Sequence, residues 1–247
     1  MKKLLALLLF CLIPRLAFGA VAKDVDSSGS GSITDNITWS HTVTGSDTIL
    51  VCLAAISAGG NVSAFTFNGI SLTVHASRDN GVSYTNHRIE MWYLIAPAGG
   101  GVSHTVSLTL ASAANELVGG CTSFTGAHQA TPLGTAVANS ADGDVESSPF
   151  LPVTVPASGM AYGGVVFGNS AGACTATTPN SGGMTAGFDT CVGSAGDNAT
   201  GASATRTTTG DFSWINLSGA FAAAVAAPIS QAAAPGAIVR RKAIVIQ

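Results

Sequence analysis

Apolar and polar residues alternate along most of this 247-residue chain. In Ile37–Thr44 the odd positions hold Ile, Trp, His and Val, and the even positions hold Ser and Thr. Val102–Leu110 repeats the pattern, with Val, His and Leu at even positions and Ser and Thr between them. Because successive side chains of a strand point to opposite faces, both segments predict half-buried β-strands. No segment shows the 3.6-residue period of an amphipathic helix.

Turn residues separate the predicted strands. Asn68-Gly69 stands between two apolar runs, and this pair best tolerates the two positive φ angles of a type I′ hairpin turn. Further strands are predicted at Ile49–Ile56, Arg88–Ile95, Leu117–Phe124, Val145–Val155, Met160–Phe167, Ala202–Thr208 and Phe212–Val225. About ten to twelve short strands between turn signals predict an all-β fold, a two-sheet antiparallel sandwich of jelly-roll type.

The amino terminus has the three parts of a secretory signal peptide. Two lysines precede the apolar run Leu4–Ile13, which is too short to span a bilayer, and small residues follow it. Cleavage after Gly19 makes residues 1–19 the signal peptide, and cleavage after Ala22 is the alternative. The sequence therefore predicts an exported protein, extracellular or at the cell surface, with the periplasm also open.

Charge excludes one class of partner. Charged residues make up 9% of the chain, against about 25% in an ordinary soluble domain. Between Asp24 and Val239 there are thirteen acidic residues and only three basic ones. An acidic body repels phosphate backbones, so we expect no nucleic-acid partner. The abundant Ser and Thr predict a surface covered by hydroxyl groups.

Three stretches carry a family resemblance. They are Ser63–Thr73, Arg88–Gly99 and Ser123–Gly134, with patterns of the kind V-T-F-N-G-V-x-L-T, W-Y-L-x-x-P-x-G and S-F-T-G-x-x-Q-x-T-P-L-G. In this order and spacing, residues 37–134 resemble a widespread module of bacterial secreted and phage-encoded proteins. The resemblance implies a jelly-roll-like sandwich on a surface or in a multidomain secreted chain. It implies no established activity and transfers no catalytic residue.

One short motif matches an enzyme signature. Gly168–Gly172 reads Gly-Asn-Ser-Ala-Gly, the form of the nucleophile elbow of serine hydrolases. That fold needs a helix directly afterwards and a later histidine, but a Thr/Pro/Gly-rich segment follows and all five histidines precede the motif. We therefore interpret the motif as a result of composition and predict no enzymatic activity, with a secreted hydrolase as the weaker alternative. His41 and His104 occupy apolar-parity positions and are interpreted as partly buried, hydrogen-bonded residues.

Aromatic residues supply the binding hypothesis. Trp92 shares a strand face with Arg88 and Glu90, which makes these three the candidate ligand-binding residues. An exposed Trp92 would stack on a sugar ring, whereas a packed Trp92 would belong to the core. The predicted function is adhesion or carbohydrate contact, with a glycan or another surface protein as partner. The alternative is a structural component of a cell envelope or a phage virion.

Three alternating carboxylates suggest a metal. Asp142, Asp144 and Glu146 offer the hard oxygen ligands that Ca²⁺ prefers. They predict at most a structural Ca²⁺ site, with a solvated acidic loop as the alternative, and no other cofactor is expected.

Four cysteines follow the signal peptide, an even number that predicts disulfides in an exported protein. We predict the pairs Cys174–Cys191 and Cys52–Cys121. Two buried free thiols are the alternative for the second pair.

The carboxyl terminus differs from the body. The predicted organisation is a single β-sandwich domain over residues 23–227, a linker over 228–237 and a basic, β-prone arm over 238–247. Prolines and polar residues interrupt the Ala-rich stretch before the arm, so we expect no membrane span in the mature chain. The arm is predicted to mediate self-association or docking by adding a strand to a sheet edge, with a frayed tail as the alternative.

Overall fold

The computed structural model describes residues 19–80, 87–141, 150–168, 178–180, 182–194, 197–215 and 222–232. Within these ranges the secondary structure is β-strand, so the predicted all-β class is confirmed. The strands are β1 (Ala22–Thr42), β2 (Ile49–Ser57), β3 (Val62–Phe67), β4 (Ile70–Ser71), β5 (Thr73–Asp79), β6 (His87–Ile95), β7 (Ser103–Thr125), β8 (Val137–Ala141), β9 (Leu151–Val153), β10 (Met160–Gly168), β11 (Thr178–Pro179), β12 (Met184–Ser194), β13 (Asp197–Arg206), β14 (Gly210–Phe212), β15 (Trp214–Ile215) and β16 (Ala222–Ile229).

The first sheet is organised around the long strand β7. Its order is β4-β3-β7-β2-β6-β5, and β1 pairs with β7. Val106 of β7 pairs with β1 on one side and with β3 on the other. Phe124 of the same strand pairs with β1 and with β2. The two halves of β7 therefore border different neighbours, while β1 accompanies both halves.

The second sheet has the order β12-β13-β10-β16-β8, again with antiparallel neighbours. Two ribbons, β9–β14 and β11–β15, complete the described strands. The two sheets pack against each other, which confirms the predicted antiparallel sandwich.

Glycines allow the two sheets to approach closely. A Cβ atom on Gly120 of the first sheet would overlap the ring of Phe188 in the second. A Cβ atom on Gly164 of the second sheet would overlap the side chain of Leu53 in the first. These positions need glycine because the facing side chain already fills the space, as in any closely packed interior.

Each sheet is also apolar on its outer face. A second cluster combines the outer face of β2 with Phe65, Phe67 and Val106, so the half of the first sheet that contains β3 curls over the half that contains β2. A third cluster covers the outer face of β10 and β16 with Phe212 and Trp214 from the ribbon strands. Strands β2 and β10 are consequently buried along their whole length. The sequence correctly predicts these strands, but their burial on both faces follows from the curl and the ribbons.

Several local predictions have a clear outcome. Asn68 and Gly69 have φ angles of 51° and 75°, as the predicted type I′ turn requires. The separate strands predicted at Val102–Leu110 and Leu117–Phe124 are parts of one continuous strand, β7. Of the segment predicted at Val145–Val155, the described part forms the short strand β9. The strand predicted at Phe212–Val225 covers the last residue of β14, all of β15 and the beginning of β16.

The last described strand extends past residue 227. Ile229 is fully buried in the core between the sheets, and Gln231 forms a β-bridge with Ala127. The packed body therefore includes the first residues of the predicted linker. The arm over residues 238–247 lies outside the described residues. Within the part of the chain that the structure describes, there is no helix long and apolar enough to cross a membrane.

One predicted disulfide is confirmed. Cys52 on β2 and Cys121 on β7 are direct cross-strand partners and are bonded, with 69 residues of sequence separation. Both are fully buried. Cys191 is also disulfide-bonded, but Cys174 lies outside the described residues, so the second pairing stays a prediction.

Candidate functional site

The predicted ligand-binding residues form a bonded cluster on β6. Arg88 Nε donates a hydrogen bond to Glu90 Oε1 at 2.7 Å, and Trp92 Nε1 donates to Glu90 Oε2 at 3.0 Å. The backbone N–H of Val62 donates to Glu90 Oε1 at 3.4 Å. Glu90 is only 3% exposed, and these donors compensate the cost of burying its carboxylate.

Trp92 is half-buried. Its ring packs against the second apolar cluster, with its centroid 6.2 Å from that of Phe65. Arg88 makes a second ion pair with Asp79 of β5 at 3.4 Å. The cluster thus connects β6 to β3 and to β5, and it has a clear structural role. Ligand binding by these residues stays a prediction.

A second polar cluster consists of three side chains of β1, those of Ser27, Trp39 and His41. Trp39 Nε1 donates to Ser27 Oγ at 3.0 Å, and Ser27 Oγ lies 2.7 Å from His41 Nδ1. Since Ser27 already accepts from the indole, we assign its own proton to His41 Nδ1. His41 is 1% exposed, and this burial lowers its pKa to about 4, although nearby Asp24 and Asp26 act in the opposite direction. The imidazole is therefore neutral near pH 7, and the expectation of a buried, hydrogen-bonded His41 is confirmed.

This Ser–His contact is unsuited to general base catalysis. A histidine with a pKa near 4 is a weak proton acceptor at neutral pH, where an efficient base has a pKa close to the working pH. The ring atom that is not bonded to Ser27, His41 Nε2, is buried and has no partner among the described residues. The cluster is thus a structural feature of the β1–β7 pair.

Two aspartates, Asp24 and Asp26, connect the first half of β1 to β7 through hydrogen bonds. Asp24 accepts hydrogen bonds from the Thr44 backbone N–H and the Ser123 hydroxyl, each at 2.8 Å. Burial raises the pKa of Asp24, but hydrogen bonds from Thr44 and Ser123 outweigh that effect and hold it below its ordinary value. Asp26 accepts from Thr122 Oγ1 at 2.6 Å. Side-chain hydrogen bonds therefore hold a Ser- and Gly-rich strand that has few apolar residues.

The outward side chains of four neighbouring strands form one polar surface, which we call the hydroxyl face. Cross-strand pairing places Thr38 beside Ser107, Ser107 beside Thr66 and Thr66 beside Ser71. This row crosses β1, β7, β3 and β4. Parallel rows lie above and below it, because outward residues recur every second position along each strand. The hydroxyl face comprises Asn36, Thr38, Ser40, Thr42, Ala64, Thr66, Ser71, Ser103, Thr105, Ser107 and Thr109.

The hydroxyl face is uncharged and supported from beneath. None of its eleven residues is ionisable. Strand spacings of about 4.8 Å and steps of about 6.7 Å between outward residues give a surface about 20 Å long and up to about 14 Å wide. The opposite side chains of the same strands, including Phe65, Val106 and Leu108, are buried in the second apolar cluster. Asn36 Nδ2 donates to Thr109 Oγ1 at 2.8 Å, which orders one end of the surface.

The remaining predicted sites lie wholly or partly outside the described residues. Asp142, Asp144 and Glu146 are among the residues that are not described. Within the described ranges, no group of three or more His, Cys, Asp or Glu residues is placed to hold a metal ion. Of the Gly168–Gly172 motif only Gly168 is described, and a Cβ atom on it would overlap the imidazole of His87. Chain order gave no indication that a histidine lies beside Gly168.

Comparison with known proteins gives no match. No protein-family model matches the chain, and no curated protein or solved structure is significantly similar to it. The resemblance to the secreted and phage-encoded module therefore stays a prediction.

Proposed function

We propose that this chain is an exported, non-enzymatic surface protein that adheres to a neutral, hydroxyl-rich polymer. The partner is a polysaccharide, and the contact surface is the hydroxyl face. The observation that carries the proposal is the row Thr38–Ser107–Thr66–Ser71, which places four hydroxyl side chains on four adjacent strands of a supported sheet.

The chemistry of the hydroxyl face matches that of a neutral polysaccharide. Serine and threonine hydroxyls both donate and accept hydrogen bonds, as sugar hydroxyls do. Short side chains on a packed sheet lose little conformational entropy on binding, so each weak contact retains more of its favourable energy. The absence of ionisable residues on this face favours an uncharged partner. In this proposal the half-buried Trp92 has a smaller part in polysaccharide binding than the sequence analysis gave it.

Export is supported by the disulfide between Cys52 and Cys121. Stable structural disulfides are typical of oxidising compartments such as the periplasm and the extracellular space. This agrees with the predicted signal peptide, and we propose an extracellular or cell-surface location.

Sedimentation with insoluble neutral polysaccharides tests the proposal. The mature protein is mixed with each polymer, and the bound fraction is measured after centrifugation. Ser107→Lys places a charge at the centre of the hydroxyl face, and we expect it to reduce binding at least tenfold. Ser77→Lys is the matched control, since Ser77 is exposed on β5 and lies outside this face. Equal binding by the two variants would exclude the hydroxyl face as the contact surface.

A structural role in a cell envelope or virion is the second candidate. A face of hydroxyl side chains also suits contact with another copy of itself. Light scattering separates the two roles, because a structural component assembles without polysaccharide. Truncation after Pro235 then tests the arm. If the arm mediates assembly, light scattering gives a smaller number of copies per assembly for the truncated chain than for the full chain.

The hydrolase alternative is tested directly. A fluorophosphonate probe labels activated serines, and the proposed non-enzymatic protein is expected to remain unlabelled. Stoichiometric labelling that heat denaturation abolishes would refute the non-enzymatic assignment.

A further inference from the structure

Val21, which precedes β1, is part of the core between the sheets. It is 4% exposed and belongs to the same apolar cluster as Ile49, Phe124 and Met160. Its backbone N–H donates to the carbonyl oxygen of Ser158 at 2.9 Å. The side chain of Val21 therefore packs between the two sheets, and its backbone is bonded to the turn that precedes β10.

The strand begins directly after this core residue. Ala22 opens β1 and pairs with Thr125 of β7. By contrast, Gly19 and Ala20 are exposed and belong to no strand. A Cβ atom on Gly19 would have no atom within 4 Å.

We propose that the exported chain is processed between Gly19 and Ala20, so that Ala20 becomes the mature amino terminus. The inference rests on the export component of the proposed function. A peptidase that reads small residues at the first and third positions before the cut hydrolyses this bond. One water molecule is consumed, Gly19 gains a carboxylate, and Ala20 gains an ammonium group.

The alternative cut after Ala22 satisfies the same small-residue rule but conflicts with the fold. It removes Val21 from the core and leaves a cavity that its neighbours fill only in part. It also removes the first pair of the β1–β7 ladder. In the folded chain, the bond after Ala22 lies inside a paired strand, whereas the bond after Gly19 lies in an exposed segment.

The amino terminus of the exported protein tests this inference. The full chain is expressed in a secreting bacterial host, and the product is analysed by intact mass and amino-terminal sequencing. An amino terminus at Ala20 supports the inference. An amino terminus at Lys23, or an exported chain that keeps its first nineteen residues, overturns it.

Two matched variants add a direct comparison. Gly19→Leu and Ala22→Leu each place a large residue directly before one of the two candidate bonds, and both positions have room for it in the fold. We expect Gly19→Leu to abolish the product that begins at Ala20 and Ala22→Leu to preserve it. The reverse pattern overturns the inference.

A stability measurement tests the structural reason separately. Chains that begin at Ala20 and at Lys23 are refolded, and their thermal midpoints are compared. We expect a lower midpoint for the chain that begins at Lys23, and equal midpoints would contradict the role of Val21. A correctly processed protein that binds no polysaccharide would refute the proposed function but leave the processing site intact.

Discussion

The buried His41 should make the stability of the fold depend on pH. Its pKa is about 4 in the folded protein and about 6.5 in an unfolded chain. Between these values the unfolded state binds one more proton than the folded state, so acidification favours unfolding. The stabilisation is complete above about pH 6.5, is lost as the pH falls toward 4, and changes no further below 4.

The magnitude follows from the difference between the two pKa values. A difference of about 2.5 pH units corresponds to about 3 kcal/mol, at about 1.4 kcal/mol per unit. Asp24 contributes in a different window: its pKa lies below its ordinary value of 3.8, so its stabilisation is lost only as the pH falls below about that value. A slope between pH 6.5 and 4 is therefore attributable mainly to histidine.

Urea unfolding at several pH values between 7.5 and 4 measures this effect. We expect His41 to account for about 3 kcal/mol of the loss of wild-type stability across the range, so that the slope is much smaller in His41→Gln. His75→Gln is the matched control. Burial lowers the pKa of His75 as well, but this side chain is only half-buried and its bond to the Gly134 carbonyl opposes the shift. Identical slopes for wild type and His41→Gln would refute the reasoning.

Three further predictions concern stability. Replacing Cys52 and Cys121 together by alanine should cost about 4 kcal/mol, because the crosslink closes a loop of 69 residues, and urea unfolding under non-reducing conditions measures the loss. Gly120→Ala should cost about 1 to 3 kcal/mol by forcing a Cβ atom against a ring of the facing sheet, whereas Gly182→Ala, which meets open space, should leave the thermal midpoint nearly unchanged. Arg206→Met should cost about 3 kcal/mol, because three backbone carbonyls lose their guanidinium donors, and a thermal midpoint equal to that of wild type would contradict this.

The sequence predicts the faces of strands better than it predicts their neighbours. Alternation correctly places Ile37 and His41 inward, and it places the hydroxyl residues between them outward. The hydroxyl face, however, exists only because β1, β7, β3 and β4 lie side by side. That order depends on pairings between residues up to about a hundred positions apart, and local patterns do not encode them.

The strands that the sequence analysis missed lack the usual apolar signal. The first half of β1 is rich in Ser, Gly and Asp, and it is held by hydrogen bonds that Asp24 and Asp26 accept from residues distant in sequence. By contrast, the alternation of side chains along β6 correctly predicts that Arg88, Glu90 and Trp92 share one face of the strand. The sequence did not reveal that Glu90 bonds the indole and the guanidinium, because the burial of Glu90 depends on the curl of the sheet, which brings Val62 of β3 to Glu90 of β6.

The central claim is that the hydroxyl face binds a neutral polysaccharide. The most direct test uses the polysaccharide that binds the protein in the sedimentation assay. The mature wild type and the double variant Thr38→Val/Thr105→Val are each titrated with this polymer, and their affinities are compared. Valine keeps the shape and strand preference of threonine but removes the hydroxyl, and Thr73→Val on the exposed part of β5 is the control. We predict that the double variant weakens binding at least tenfold while Thr73→Val binds as wild type does. Unchanged affinity of a correctly folded double variant would contradict the claim.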